Sequence, residues 1–149
     1  LRIHTRNAIV LPSRVDDGFL DWISSLPWRV TLVLHVNHAN ELQGDAAEAI
    51  ERLRGTGALL LNQAVLLRGV NDDADTLIAL SKRLHDLGVV PYYLHLLDRV
   101  NGTAHFEVSE ERGQALVTAM AQSLPGFLVP KLAREIPGHP YKTVLSSQR

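Results

Sequence analysis

Polar side chains able to bind ligands or move protons recur at the ends of apolar, strand-like runs. His4 and Arg6 stand near the end of the first run, and His35 and His38 follow the second. Asn62 and Gln63 interrupt the third, and His95 and Asp98 close the run at 91–98, PYYLHLLD. Glu135 and Lys142 flank a Pro/Gly loop, IPGHPY. In a parallel α/β sheet the strands' carboxyl ends share one rim, and ligands sit there. Asp98 and Glu135, two carboxylates in otherwise apolar or loop contexts, suit an ammonium group. A lysine on such a rim can form a Schiff base with a carbonyl, although Lys142 by pattern alone is an ordinary loop lysine. His35 and His38, three apart, would face opposite sides of a strand. They could share a metal ion only if the strand ended between them. Ser13, Ser24 and Ser25 lie in no nucleophile elbow, which argues against a serine hydrolase. The residues alone indicate a rim site for an amine and leave its chemistry open.

The elements that must position these groups follow from periodicity. Residues 1–10 alternate apolar with polar and predict a strand, ended by Leu11-Pro12-Ser13. Residues 16–26 place Phe19, Leu20, Ile23 and Leu26 at helical spacing. The run 29–36, RVTLVLHV, suits a parallel strand covered on both faces. Asp45 with Glu48 predicts a capping box for a helix ended by Gly55 and Gly57. Residues 58–67 predict a third strand. An amphipathic helix with Leu77, Ile78, Leu80 and Leu84 on one stripe then runs to a stop at Gly88. Residues 89–97 predict a strand, 98–106 a loop, 109–124 a helix capped by Ser109, and 127–133 a last strand before a polar tail. Strands recur roughly every 30 residues, the length of a βαβ unit with a right-handed crossover. The fold class expected is α/β, with parallel strands and alternating helices in a piece of a (β/α) barrel. No G-x-G-x-x-G follows a strand and there is no P-loop.

Composition narrows the partners. The 149 residues suit one domain, and the hydrophobic share of 46% with a charged share of 21% fits a globular class. A net charge of -1 gives no electrostatic reason to expect nucleic acid or an anionic membrane. No apolar run approaches the ~20 residues of a membrane span, and no signal peptide is visible. The chain has no cysteine, which excludes disulfides, zinc–thiolate sites and a cysteine-ligated cluster within it, and which favours a cytoplasmic setting. It begins without Met, directly in a strand-like run, as if inside a larger fold.

Taken together, LRIHTR (1–6), HVNHANE (35–41), NQAVLLRGVND (62–72), PYYLHLLD (91–98), GTAHF (102–106) and VPKLAREIPGHPYKT (129–143) resemble the lysine 2,3-aminomutase family of radical S-adenosylmethionine (SAM) enzymes. YLHLLDRVNG and LVPKLAREI resemble most its branch that makes (R)-β-lysine for elongation factor P modification.

The resemblance implies a partial (β/α)6 barrel of which this chain supplies the C-terminal part. Residues 1–126 would be barrel, and 127–149 a C-terminal segment with the lysine loop. It implies isomerisation of L-lysine to β-lysine with pyridoxal phosphate (PLP), SAM and a [4Fe-4S] cluster whose CxxxCxxC ligands lie upstream, so no metal ligand is expected here. The isolated piece would be inactive. The resemblance puts the PLP lysine at Lys142 and His95 beside PLP, where the aminomutases carry a tyrosine. His35 and Gln63 fall near SAM, and Asp98 and Glu135 on the substrate's far ammonium. The loop before Lys142 is PGHPYK in place of a glycine run. The implied partners are L-lysine, the upstream half of the protein and the elongation factor P modification pathway. An open part-barrel also exposes an edge and an inner face through which copies can associate. The alternatives are a non-catalytic PLP- or amine-binding member and a barrel aldolase or isomerase using Lys142 directly.

Overall fold

The structure, a computed structural model, describes residues 1–98, 104–136, 138 and 141–145. One sheet takes its six strands in chain order: β1 (Arg2–Thr5), β2 (Thr31–Leu34), β3 (Leu59–Leu66), β4 (Val90–Leu96), β5 (Lys131–Arg134) and β6 (Thr143–Val144). The first five are parallel, and β6 runs antiparallel beside β5. The helices between them are α1 (Asn7–Val10), α2 (Asp17–Ser25), α3 (Gly44–Gly55), α4 (Ala74–Asp86) and α5 (Glu110–Ser123). The strand order never reverses. Right-handed crossovers that always step the same way lay every helix on one face. The other face is then the inner wall of a part-barrel, and the switch point of a Rossmann sheet is missing. This is the α/β part-barrel expected from the sequence.

The pleat divides the work between the two faces. On β3, Leu60, Ala64 and Leu66 join the buried core with Leu32 and Leu34 of β2, Leu94 and Leu96 of β4 and Leu132 of β5. Ile50 and Leu53 of α3, Leu77, Leu80 and Leu84 of α4, and Leu116 and Met120 of α5 close it from the helix side. Each such side chain stabilises by roughly 1.5–3 kcal/mol on leaving water. The residues between them on the strands, including His4, Gln63, Tyr93 and His95, face the inner wall.

Helix limits follow local chemistry. Asp16 accepts from the Phe19 amide at 2.8 Å and Asp73 from that of Thr76 at 2.9 Å, satisfying first-turn N–H groups. Ser109 caps α5 as expected, its hydroxyl oxygen accepting from Arg112 N at 3.2 Å. Gly88 ends α4 at φ 72°, where a Cβ would also meet Arg54 Cδ at 2.7 Å.

Several boundaries differ from the sequence expectation. The strand predicted over 1–10 stops at Thr5, because the Thr5 hydroxyl accepts from the Asn7 amide at 3.0 Å and turns the chain into α1. The capping box expected at Asp45 is absent: α3 starts at Gly44 with Gln43 as a cap that makes no side-chain bond. A box forms earlier instead. Glu41 Oε1 accepts from the amides of Asn37 (2.7 Å) and His38 (3.0 Å), while His38 Nδ1 accepts from Asn40 N (3.1 Å). The strand predicted over 127–133 is confined to Lys131–Arg134, after a 3-10 turn at Gly126–Leu128 and Pro130, which has no N–H to donate. The tail read as polar supplies β6. Among the described residues no helix is long and apolar enough to cross a membrane.

A buried amide network ties the ends of β2 and β3 together. Asn62 Oδ1 accepts from Val36 N at 2.9 Å and its Nδ2 donates to Val36 O at 3.0 Å. Asn37 Oδ1 accepts from Val65 N at 2.8 Å. Asn71, fully buried, accepts from Leu67 N at 2.8 Å and donates to Asn37 O and Val65 O, both at 2.9 Å. Asn71→Ala would strand these backbone groups, at about 1–3 kcal/mol for each one left unsatisfied. We expect a loss of about 3 kcal/mol, read as a lower urea midpoint with unchanged slope. A loss under about 1 kcal/mol would show that water replaces the amide.

Candidate functional site

β5 and β6 bring the loop lysine back to the sheet. Ala133 pairs with Val144 and Arg134 with Thr143. The next rung out places Glu135 opposite Lys142, and the two side chains meet: Lys142 Nζ donates to Glu135 Oε1 at 2.6 Å. On the neighbouring strand His95 Nε2 lies 3.2 Å from the same nitrogen. The Tyr93 ring, two residues before His95 and so on the same face of β4, has its centroid 5.7 Å from Nζ. The Tyr93 and His95 rings are 5.5 Å apart. Lys142 is thus held by a carboxylate, an imidazole and an aromatic ring, with 29% of its side chain exposed.

Lys142, Glu135 and Tyr93 line an open cleft of about 1320 Å³ on the inner wall, with Arg2, His4, Gln63, Asp98 and Arg134 also on its surface. The volume exceeds the ~300–1,000 Å³ of typical small-molecule pockets. Its width follows from the sheet, which leaves the inner wall uncovered. Gln63 is nearly buried there, while Asp98 stands exposed just beyond the end of β4. His35 packs beside His4, ring centroids 5.7 Å apart.

The cleft lining mixes cations, Arg2, Arg134 and Lys142, with the carboxylates of Asp98, Glu107 and Glu135. Burial lowers the His95 pKa below its ordinary value and the Lys142 charge lowers it further, while Glu135 and Asp98 pull the other way. Burial also lowers the His35 pKa, helped by His4, Arg6 and Lys142. The His4 pKa falls through burial, Arg2 and Lys142. All three imidazoles are biased to the neutral form at pH 7. The hydrogen bond from Lys142 holds the Glu135 carboxyl below the usual carboxylate range.

The structure brings together Lys142, Glu135 and His95, and sets Asp98 and Gln63 on the same cleft. Other strand-end candidates are used elsewhere. Arg6 pairs with Glu41 at 2.9 Å, His38 caps a 3-10 turn, and Asn62 faces the helices. Among the described residues no group of three or more His, Asp or Glu is placed to hold a metal ion. Sequence reading missed Tyr93 and Arg2 as cleft residues. Tyr93 carried a usable signal, its two-residue spacing from His95.

The residues fit PLP on one observation: an amine that can bond to a carbonyl sits between acceptors and beside an aromatic ring, open to a cleft large enough for a pyridine ring. The cluster does not fit this chain, which has no cysteine to ligate it.

No family model matches the chain. It is 48% identical to an L-lysine 2,3-aminomutase of Escherichia coli (strain K12) over 148 residues, 99% of this chain and 43% of that protein. It is 45% identical to an L-lysine 2,3-aminomutase of Haemophilus influenzae over 144 residues, 97% of this chain and 43% of that protein. The chain therefore spans less than half the length of these relatives. Its fold is similar to that of a radical SAM methyltransferase from Sphaerobacter thermophilus, with TM-score 0.62 at 20% identity, over 89% of this chain and 40% of that one. Along nearly all of its length the chain is similar to the corresponding part of proteins named L-lysine 2,3-aminomutase, and its α/β fold is similar to part of that methyltransferase.

Proposed function

We propose that this chain is the substrate and PLP half of a cytoplasmic lysine 2,3-aminomutase that converts L-lysine to (R)-β-lysine for elongation factor P modification. The observation that carries the reading is Lys142, seated against Glu135, His95 and Tyr93 on the cleft. Lys142 holds PLP, and His95 and Tyr93 lie beside it. PLP supplies a conjugated ring that spreads the unpaired electron while the amino group migrates. His35 and Gln63 face SAM. The cluster that cleaves SAM draws its ligands from outside this chain, and no step of it is assigned to residues here.

Asp98 and Glu135 select the substrate. A buried ammonium needs paired charge, so an analogue without one leaves the carboxylates uncompensated. Glu135 is already bonded to Lys142, so it turns to the substrate only when Lys142 gives up its charge. The inner wall, closed by the rest of the protein, keeps water from the reacting carbon.

The test is the full-length protein reconstituted with iron, sulfide, SAM and PLP and given isotope-labelled L-lysine. β-Lysine formation is expected, with none from the isolated chain. Tight lysine binding without turnover would establish the non-catalytic binding reading instead, and neither binding nor turnover would overturn both.

A further inference from the structure

Resting on the reading of Lys142 as the lysine that bonds to PLP, a further role falls to His95. A C=N bond forms only if two protons leave the nitrogen and reach the oxygen that departs as water. His95 Nε2 is the ring nitrogen within 3.2 Å of Lys142 Nζ, and Tyr93 flanks the ring. With the Lys142 ammonium as donor, Nε2 is the acceptor and the imidazole carries its proton on Nδ1. Lys142, Glu135, Asp98 and His35 are the charged and titratable groups that act on it, with the Tyr93 phenol beside it. The carboxylates of Glu135 and Asp98 favour an imidazolium once formed, while burial and Lys142 favour the neutral ring. Such a balance suits a group that takes and returns a proton near neutral pH.

We propose that His95 shuttles protons for carbonyl capture at Lys142, with Glu135 as the counter-charge. Lys142 first loses its ammonium proton through His95 to solvent. The nitrogen lone pair then attacks the carbonyl carbon and the C=O π pair moves to oxygen. The nitrogen, now cationic, gives a proton to Nε2, and the imidazolium passes it to that oxygen. The second N–H proton follows the same path as the C–O bond breaks. Water leaves with both protons and C=N remains, with no change of oxidation state.

The test follows PLP capture by cofactor-free full-length protein in a stopped-flow spectrophotometer, with borohydride trapping and peptide mapping to Lys142. His95→Ala is expected to slow capture on the order of 100-fold and to remove the pH dependence assigned to His95. Added imidazole should restore most of the rate. His95→Gln keeps a hydrogen-bond partner that cannot titrate, and should be as slow as the alanine variant. Wild-type rates in His95→Ala, full rescue by glutamine, or a slow alanine variant indifferent to imidazole would each overturn the proposal. Salicylaldehyde, an aldehyde without the phosphate, separates the two readings. If Lys142 captures salicylaldehyde but not PLP, the cofactor assignment fails, and the same His95 comparison with salicylaldehyde decides the shuttle.

Discussion

Lys142→Ala in the full-length protein is expected to abolish the near-visible absorbance of lysine-bound PLP, and turnover with it. No other amine replaces Lys142 in its place on the next rung beyond β5 and β6, between Glu135 and His95. Lys131 lies on the same strand pair, in register with Tyr93, yet at the other end of β5. Lys131→Ala is the matched control and should keep the band. The loss would not reflect unfolding. Lys142 and Glu135 expose 29% and 56% of their side chains, and so exposed an ion pair contributes about 1 kcal/mol or less. The alanine variant should therefore melt close to the wild type. A full-strength band in Lys142→Ala would remove the lysine from the site.

The second large effect concerns substrate. Asp98→Ala should weaken L-lysine binding by about 30-fold, on the order of 2 kcal/mol. Asp98→Asn should do nearly as much, because shape is kept and charge is not. Norleucine, whose side chain ends at the carbon that carries the ammonium in lysine, provides the discriminating measurement. Its weak affinity should be the same in wild type and both variants. Equal lysine affinity in wild type and Asp98→Ala would reject Asp98 as the ammonium partner. A parallel fall for norleucine would mean that the substitution disturbs the cleft as a whole.

What the sequence disclosed and what it concealed divide along physical lines. Continuous apolar runs such as 29–36 and 58–67 reveal parallel strands, because burial on both faces leaves few other compositions. Ser109 reveals a helix start, because a cap is local chemistry, although the same reasoning at Asp45 does not hold. Elements set by tertiary contact stay hidden. β6 is two residues long and exists only through its pairing with β5, so no period can announce it. Asn62 and Gln63 look alike in sequence, yet the pleat sends one to the helices and the other to the cleft. His38 counted among the strand-end polar residues and is a cap. Glu135 and Lys142 were each legible as candidates through family resemblance. Their contact at 2.6 Å was not, since it depends on the antiparallel pairing of β6 with β5.

That short antiparallel rung has a consequence for how the molecule can fail. The lysine to which we assign PLP stands beside the outermost and briefest strand, with no paired neighbour beyond it among the described residues. Opening β6 breaks few backbone hydrogen bonds and withdraws only the partly buried Leu145 from the core, so it belongs to the low-energy end of local unfolding. A proline placed in β6 would thus be nearly silent in a melting curve, yet large in its expected effect on cofactor retention. Amide hydrogen exchange at Thr143 and Val144 is the observable in which such a lesion would appear first.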